Sequence, residues 1–205
     1  MRTTIAIGFG LALVLFMVVT PIVYSRWQEK QYRNFSVVEP GILYRGGQLT
    51  PKRLDELVTL HGIRTIVNLR DGVEASDQLE ESWAKEKRLN FVRIPAKSWG
   101  RDASGNVPAN DALEAFRRVM DDPGNYPVYV HCYAGIHRTG TMVAIYRMDY
   151  QGWTTAEAMT EMRMHGYTIL DQHADVSEFM ALYRSKPRGK GVRAMTTARG
   201  NVPLP

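Results

Sequence analysis

Residues 128–140 carry the sequence VYVHCYAGIHRTG, in which a run of β-branched and aromatic residues leads into a cysteine and a short loop. The run 128–131 predicts a buried strand. A helix is predicted from Thr139 onward. Cys132 is therefore expected at the end of a strand, and Arg138 follows five intervening residues later, where the helix begins.

The loop between this strand and this helix is suited to an anion. Backbone N–H groups at a helix start lack partners within the helix, and the helix dipole adds positive potential, so a phosphate fits there. The same field favours the thiolate form of Cys132, which makes it a nucleophile. Arg138 can bind two phosphate oxygens at once. Gly135 permits close approach of the backbone, and Thr139 can donate a hydrogen bond to the leaving sulfur.

The remaining loop residues are candidates for substrate binding: Tyr133, Ala134, Gly135, Ile136 and His137. His131 is interpreted as a residue that shapes the loop through hydrogen bonds. A lone buried cysteine is ordinarily a small apolar core residue. The whole string of histidine, cysteine, glycine, arginine, threonine and glycine on a strand–loop–helix favours catalysis instead.

The flanking sequence predicts an alternation of strands and helices. Further strands are predicted at 42–45, 65–69 and 90–94. Helices are predicted at 51–62, 75–88, 110–120, 139–150, 154–165 and 171–183. This order indicates an α/β fold with a small central sheet of four to five strands flanked by helices.

Composition and charge exclude several classes of protein. Apolar residues make up 44% of the chain and charged residues 23%, as in ordinary folded proteins. A single cysteine excludes an internal disulfide framework and a cysteine-rich zinc site, and the spacing of the histidines predicts no metal site. The net charge of +5 comes from +3 in residues 1–33 and +5 in residues 185–205, which leaves −3 in residues 34–184. Nucleic acid is therefore not an expected partner.

The amino terminus predicts a membrane segment. Residues 3–24 carry no charge, and about 20 apolar residues in a helix span a bilayer. Three basic residues follow the segment and one precedes it, which slightly favours a cytoplasmic catalytic domain in a single-pass membrane protein. A cleaved signal peptide is the alternative. The predicted organisation is a membrane anchor (1–25), a juxtamembrane linker (26–34), a catalytic domain (35–184) and a basic disordered tail (185–205).

Residues 131–140 resemble the signature of the cysteine-dependent protein tyrosine phosphatases, specifically the compact dual-specificity-like branch found in bacteria, plants and fungi. The similarity extends over residues 35–183 and includes LYRGGQ at 43–48, GIRTIVNLR at 62–70, GW at 152–153, EMR at 161–163 and GY at 166–167. The resemblance implies a sheet of four or five strands, a phosphocysteine intermediate, and no metal or other cofactor.

The resemblance also implies a general acid on a separate loop. Asp102 lies 132 − 102 = 30 residues before Cys132, in the loop 96–108, and is the first candidate. Protonation of the leaving oxygen and later activation of water are the chemistry it would perform. Asp111 is a second candidate, although it stands at a helix start and could serve only the helix dipole. A third possibility is that no dedicated acid is used.

The predicted function is hydrolysis of phosphate monoesters by a membrane-anchored phosphatase. Phosphotyrosine in proteins is the first substrate, with phosphoserine and phosphothreonine beside it. Tyr133, Ala134 and Ile136 stand where relatives acting on lipids and polyphosphates tend to carry lysines, which argues against a highly charged substrate. A phosphoinositide or inositol phosphate substrate, a catalytically silent phosphate-binding module and an inert anchor protein are the alternatives. The expected partners are a phosphorylated protein or phosphoinositide and the lipid bilayer. Further contacts to phosphate or substrate are possible for Arg45, Arg70, Lys97 and Trp99.

Overall fold

The central sheet places residues 128–132 in its middle. The structure is a computed structural model, and it describes residues 13, 15–23, 32–95 and 97–188. The strands are β1 (Ser36–Glu39), β2 (Leu43–Gly47), β3 (Thr65–Asn68), β4 (Asn90–Arg93) and β5 (Val128–Cys132). Their order is β1-β2-β5-β3-β4, with β1 antiparallel to β2 and every other pair parallel. The predicted sheet of four to five strands flanked by helices is confirmed, with five strands.

Six α-helices flank the sheet in the described part of the chain. They are α1 (Pro51–His61), α2 (Ala75–Glu86), α3 (Asn110–Asp121), α4 (His137–Gln151), α5 (Thr155–Met164) and α6 (Ala174–Leu182). Local sequence fixes several of their ends. The Thr50 side chain accepts a hydrogen bond from Arg53 N at the start of α1, and Thr154 forms a capping box with Glu157 at the start of α5.

The three central strands, β2, β5 and β3, are buried on both faces because helices cover both sides of the sheet. Tyr44, Ile66 and Tyr129 pack in one apolar cluster with Leu54 and Leu57 of α1. Their neighbours along the strands pack in the second cluster, which holds residues of α3 to α6: Leu43, Val67, Val130, Phe116, Val143, Ala158 and Met180. This alternation is the two-residue period of a strand. Because β2, β5 and β3 run parallel to one another, their carboxyl ends meet at one edge of the sheet.

Several elements differ from the sequence prediction. The strand Ser36–Glu39 was not predicted, because its own sequence pattern does not indicate a strand. It forms through its hydrogen bonds to β2. Helix α4 begins at His137 rather than at 139, so Arg138 lies within its first turn. The predicted helix 171–183 is divided into a 3₁₀ turn (Leu170–Gln172) and α6.

The predicted membrane location is wrong for this structure. Residues 13 and 15–23 are helical, whereas residues 1–12, 14 and 24–31 of the predicted anchor and linker lie outside the described residues. A helix needs about 20 apolar residues to cross a bilayer. None of the helices in the described ranges has the length and apolar character to do so. The single-pass location is therefore corrected, and the lipid bilayer loses its support as a partner.

The first residues of the predicted basic tail are ordered. Lys186 N donates to Asp149 Oδ1 at 2.8 Å, and Arg188 N donates to the Asp149 carbonyl at 2.7 Å. Residues 185–188 therefore lie against α4, because Asp149 of that helix accepts hydrogen bonds from two of their backbone N–H groups. Residues 189–205 lie outside the described residues.

Candidate active site

Cys132 ends the central strand and begins the loop that leads to α4. Its strand partner on β2 is Gly47, and that of the preceding residue is Gly46. A Cβ atom at Gly47 would lie 2.8 Å from the carbonyl oxygen of Tyr133, and one at Gly46 would lie 2.4 Å from Tyr129 Oη. The two glycines of β2 therefore let the loop close directly over the strand.

A cavity of about 420 Å³ opens above Cys132. It is lined by Arg70, Asp71, Glu74, Cys132, Tyr133, Ala134, His137 and Arg138. Cys132 is 5% exposed, and it contributes to the wall of this cavity. The structure thus brings five of the predicted site residues to one opening.

Gly135 and Ile136 form the back of the loop. Gly135 is buried with φ +74°, and a Cβ atom there would lie 2.3 Å from the carbonyl carbon of Gly46. The Ile136 side chain lies beside Gly166 on the far side. Both residues therefore shape the cavity from behind, whereas Tyr133, Ala134 and His137 line it.

Arg138 and Thr139 occupy the first turn of α4. Arg138 is exposed, and its Nη1 donates to the Leu69 carbonyl oxygen at 3.4 Å, a long hydrogen bond that leaves the guanidinium available to an anion. Thr139 Oγ1 is buried and has no hydrogen-bond partner within the described part of the chain. A hydroxyl in this state is suited to a further acceptor such as a sulfur anion.

His131 is completely buried beneath the loop. Its Nδ1 lies 3.2 Å from the carbonyl oxygen of Cys132, and Glu80 Oε1 lies 2.9 Å from its Nε2. Asn68 Nδ2 donates to the other oxygen of Glu80 at 2.7 Å. These contacts connect the end of β5 to α2 beneath the loop, and the loop-shaping role of His131 stays a prediction.

A second buried carboxylate beneath the cavity was not predicted. Asp77 is fully buried, and its Oδ1 accepts from Gln48 at 3.1 Å and lies 3.1 Å from Arg70 Nη1. Arg70 Nη2 also lies 2.8 Å from Glu74 Oε1. The spacing of Asp77 and Glu80 puts both on one face of α2, but that spacing alone does not indicate that the face is buried.

Tyr133 lies at the rim and is 57% exposed. The guanidinium carbons of Arg33 and Arg70 lie 4.8 Å and 5.3 Å from the centre of its ring, within range of cation–π attraction. Asn34 Nδ2 donates to the carbonyl oxygen of Ala134 at 2.9 Å. Residues that precede β1 therefore support the loop, although the sequence placed them in a linker.

A second cavity, of about 270 Å³, lies on the other side of Arg138. It is lined by Lys97, Ser98, Trp99, His137, Arg138, Thr141, Tyr167, Asp175 and Val176. Burial, and to a smaller extent His173, lowers the pKa of His137. Burial and the nearby Asp175 raise the pKa of Tyr167 to about 12, so both side chains are neutral near pH 7. Lys97, Trp99 and Asp175 thus line a cavity that Arg138 shares, and contact of Lys97 and Trp99 with substrate stays a prediction.

The two acid candidates stand apart from both cavities. Asp102 is exposed, and its Oδ1 accepts hydrogen bonds from Ser104 N and Asn106 N, each at 2.9 Å. Asp111 is exposed in the first turn of α3. Neither residue lines the cavity above Cys132 or the one beside Arg138. The structure therefore does not bring either carboxylate to the thiol.

Metal ligands do not gather in the described ranges. No group of three or more histidine, cysteine, aspartate or glutamate side chains there could hold a metal ion.

A thiol at the carboxyl end of the central strand, facing a helix start that carries an arginine, defines the site of a compact cysteine-based phosphatase. The family model described as DSP-PTPase phosphatase fused to NAD+ kinase matches residues 16–178. The chain belongs to this family. The sequence-based identification with the dual-specificity-like branch is confirmed, and with it the expectation of a phosphatase at the level of the family.

The similar proteins include both an inositol diphosphatase and a dual specificity protein phosphatase. The inositol diphosphatase DSP3 of Arabidopsis thaliana is 33% identical over 128 residues, which are 62% of this chain and 60% of that one. The dual specificity protein phosphatase TpbA of Pseudomonas aeruginosa (strain UCBPP-PA14) is 26% identical over 122 residues, 60% of this chain and 50% of that one. This chain thus spans about half to three-fifths of these relatives.

Solved structures share the fold. The catalytic core of the PP-IP phosphatase SIW14 from S. cerevisiae, in complex with citrate, has a TM-score of 0.58 at 21% identity, covering 80% of this chain and 91% of that one. P. aeruginosa TpbA has the same TM-score and the same coverage at 22% identity. At such identities the likeness extends to the fold alone.

Proposed function

We propose that this chain hydrolyses phosphate monoesters, with phosphotyrosine in proteins as its first substrate and phosphoserine and phosphothreonine beside it. In the first step the Cys132 sulfur attacks phosphorus and the bond to the ester oxygen breaks. Arg138 and the loop N–H groups bind the non-bridging oxygens. Asp102 gives its proton to the leaving oxygen, and a phosphocysteine remains.

The second step returns the enzyme to its starting state. Water attacks the phosphorus of phosphocysteine, Asp102 takes one proton from that water, and the sulfur–phosphorus bond breaks. The thiolate of Cys132 leaves with a hydrogen bond from Thr139. Inorganic phosphate is released, and Asp102 is again protonated for the next substrate. His131 holds the loop in place during both steps.

The observation that carries this proposal is the position of the thiol. Cys132 lies at the base of a cavity whose wall includes Arg138, and the first turn of α4 begins at the same opening. An anion in that cavity meets the unpaired N–H groups of a helix start. The buried hydroxyl of Thr139 lies in the same turn.

The charge of the cavity supports a substrate with a single phosphate. Its lining contains two arginines, Arg70 and Arg138, and two acids, Asp71 and Glu74, so the formal charge is 2 − 2 = 0. Arg70 is already paired with Glu74 at 2.8 Å. An inositol carrying many phosphates would bring several negative charges to a rim that offers one unpaired cation, Arg138, among its lining residues.

The relatives support both substrate classes by name, one as an inositol diphosphatase and one as a dual specificity protein phosphatase. A solved structure of P. aeruginosa TpbA holds pTyr. The neutral lining favours the second class for this chain. A phosphorylated protein is accordingly the proposed partner.

The test is release of inorganic phosphate by the full chain from a phosphotyrosine peptide, a phosphoserine peptide, a phosphoinositide and an inositol pyrophosphate. Cys132→Ser is expected to abolish turnover, since serine is a far weaker nucleophile at neutral pH. Arg138→Lys is expected to lose at least about 100-fold, because lysine cannot bind two phosphate oxygens in one plane. Arg118→Lys, an exposed exchange on α3, is the matched control.

The outcomes separate the alternatives. Turnover of the phosphotyrosine peptide that depends on Cys132 supports the proposal. Turnover of the inositol pyrophosphate or the phosphoinositide about tenfold above that of the peptide would overturn the substrate assignment. Binding of phosphate without release from any of the four compounds would leave a phosphate-binding module in place of an enzyme.

A further inference from the structure

Arg45 lies behind the phosphate-binding loop rather than in front of it. The side chain projects from the middle of β2 and is 1% exposed. Its Nη2 donates to the carbonyl oxygen of Gly135 at 2.9 Å. A Cβ atom at Gly140 would lie 3.7 Å from the same nitrogen, so the first turn of α4 also packs on the guanidinium.

The guanidinium is incompletely paired. Nε and Nη1 of Arg45 are buried and have no hydrogen-bond partner within the described part of the chain. The carboxylate of Glu161 attracts it, but Glu161 already accepts from Arg147 Nη2 at 2.6 Å and from Arg147 Nε at 3.1 Å. A buried cation without a full counter-charge is costly. A further negative charge nearby would offset that cost.

Cys132 opens the loop that Arg45 holds at Gly135, and the strand partner of Cys132 is Gly47, two residues after Arg45 on β2. A thiolate at Cys132 would attract the guanidinium, whereas Arg147 carries a like charge and opposes it. Burial lowers the pKa of Arg45 to about 10, so the guanidinium is still charged near pH 7. In the proposed reaction the phosphate meets Arg138, which lines the cavity in front of the loop.

We infer that Arg45 is a positioning residue whose buried charge stabilises the Cys132 thiolate from behind the loop, while its bond to Gly135 turns that carbonyl away from the phosphate. This inference deepens the proposed function, because it rests on Cys132 acting as a thiolate. The two arginines then have different roles. Arg138 binds the substrate, and Arg45 prepares the nucleophile before any substrate arrives.

The other titratable groups around the thiol do not replace Arg45. They are Arg70, Asp71 and Glu74 in the cavity wall, Glu80 from α2, Tyr129 and His131 from β5, and His137 and Arg138 from α4. Burial raises the pKa of Tyr129 well above 10, which keeps it neutral. Asp71, Glu74 and Glu80 are acids and oppose a further negative charge. Arg70 is already paired with Glu74 and Asp77, so the cations left to favour the thiolate are Arg45 behind and Arg138 in front.

The test uses the fact that the full chain contains one cysteine. The rate of alkylation by iodoacetamide is measured from pH 4 to pH 9, and its midpoint reports where the thiolate forms without any need for turnover. Arg45→Gln is expected to move the midpoint up by about one pH unit or more, because an opposite charge close to an acid shifts its ionisation by about 1–3 units. Arg45→Lys, which keeps the charge, is expected to stay within a few tenths.

Two further variants complete the design. Arg93→Gln removes an arginine from β4 that is paired with Glu81, and its midpoint is expected to match the unchanged chain. Glu161→Gln removes the anion that competes for Arg45, so its midpoint is expected to move down by a few tenths. This second variant also gives an answer if Arg45→Gln fails to fold.

Several results would overturn the inference. A midpoint for Arg45→Gln equal to that of the unchanged chain would show that the charge of Arg45 does not act on the thiol. A midpoint for Arg45→Lys that moves as far as that of Arg45→Gln would show the same. A midpoint for Glu161→Gln that is unchanged or higher would also overturn the inference. A low midpoint in a chain that releases no phosphate would instead contradict the proposed function and leave this inference standing.

Discussion

Replacing Gly135 with alanine tests whether β2 fixes the conformation of the phosphate-binding loop. Gly135 has φ +74°, in the left-handed region that side chains rarely adopt. An added Cβ atom would also lie 2.3 Å from the carbonyl carbon of Gly46 and 2.5 Å from Gly47 N. These are backbone atoms of a strand inside the sheet, so the loop has to move rather than the strand.

Gly152 provides a matched control for the magnitude. It has φ +73°, and no described neighbour lies within 4 Å of an added Cβ atom. Alanine there costs only the left-handed conformation, about 1 kcal/mol. At Gly135 the overlap with β2 adds about 1–3 kcal/mol, as overpacking does in a core. The expected losses of unfolding free energy are thus about 1 kcal/mol for Gly152→Ala and roughly 2–4 kcal/mol for Gly135→Ala.

Urea unfolding of both variants measures the difference, and phosphate release measures its consequence. A displacement of about 1 Å in the loop is expected to reduce turnover about 100-fold in Gly135→Ala, while Gly152→Ala keeps its turnover. Equal destabilisation of the two variants would refute the contact with β2. Full turnover in a destabilised Gly135→Ala would show that the loop adapts and that its path is not fixed from behind.

Three further predictions concern other parts of the molecule. Asp149→Ala removes the carboxylate that lies 2.7 Å from the buried Arg117 Nη2. Urea unfolding is expected to show that the free energy of unfolding falls by about 3–5 kcal/mol, and a fall of less than about 1 kcal/mol would contradict this prediction. Burial lowers the pKa values of His137 and His165 below 6.5 in the folded chain. As pH decreases, these histidines are therefore protonated at a higher pH in the unfolded chain than in the folded one. The unfolding free energy consequently falls as pH decreases through 6.5. Replacing both histidines with glutamine is expected to flatten that fall between about pH 7.5 and 5.5, and an unchanged slope would count against this assignment. Asp102→Asn keeps an oxygen for the two loop N–H groups, so turnover is expected to fall further for an alkyl phosphate than for p-nitrophenyl phosphate, and equal losses would point to another acid.

The centre of the site could be predicted because its signals are local. A strand pattern, Cys132, Arg138 and a helix pattern follow one another within residues 128–140. The consequences of that order, a thiol at the strand end and an arginine in the first turn, need no information from elsewhere in the chain. The structure shifts only the helix start, to His137.

The support beneath the site could not be predicted in the same way. Amphipathic patterns place acids on the solvent side of a helix. In α2 the reverse holds for Asp77 and Glu80, which are buried against Asn68, Arg70 and His131. Only the pairing of distant elements supplies the partners that make buried carboxylates tolerable.

Arg45 is another residue whose role could not be predicted from local sequence. The sequence allowed it to reach phosphate because it stands at a predicted strand end. A strand alternates its side chains between two faces, and Arg45 shares the face of Leu43, which packs among residues of α3 to α6. Its register with Val130 on β5 then puts its guanidinium behind the loop, at Gly135. Strand register, rather than distance along the chain, decides the role of this residue.

Asp102 illustrates why sequence spacing and resting geometry answer different questions. Ser104 N and Asn106 N both donate to Oδ1 of Asp102 from within the same loop, so Oδ2 can carry the proton and the loop can move with both bonds kept. The loop is therefore expected to close over Cys132 when substrate binds, as lids over active sites do.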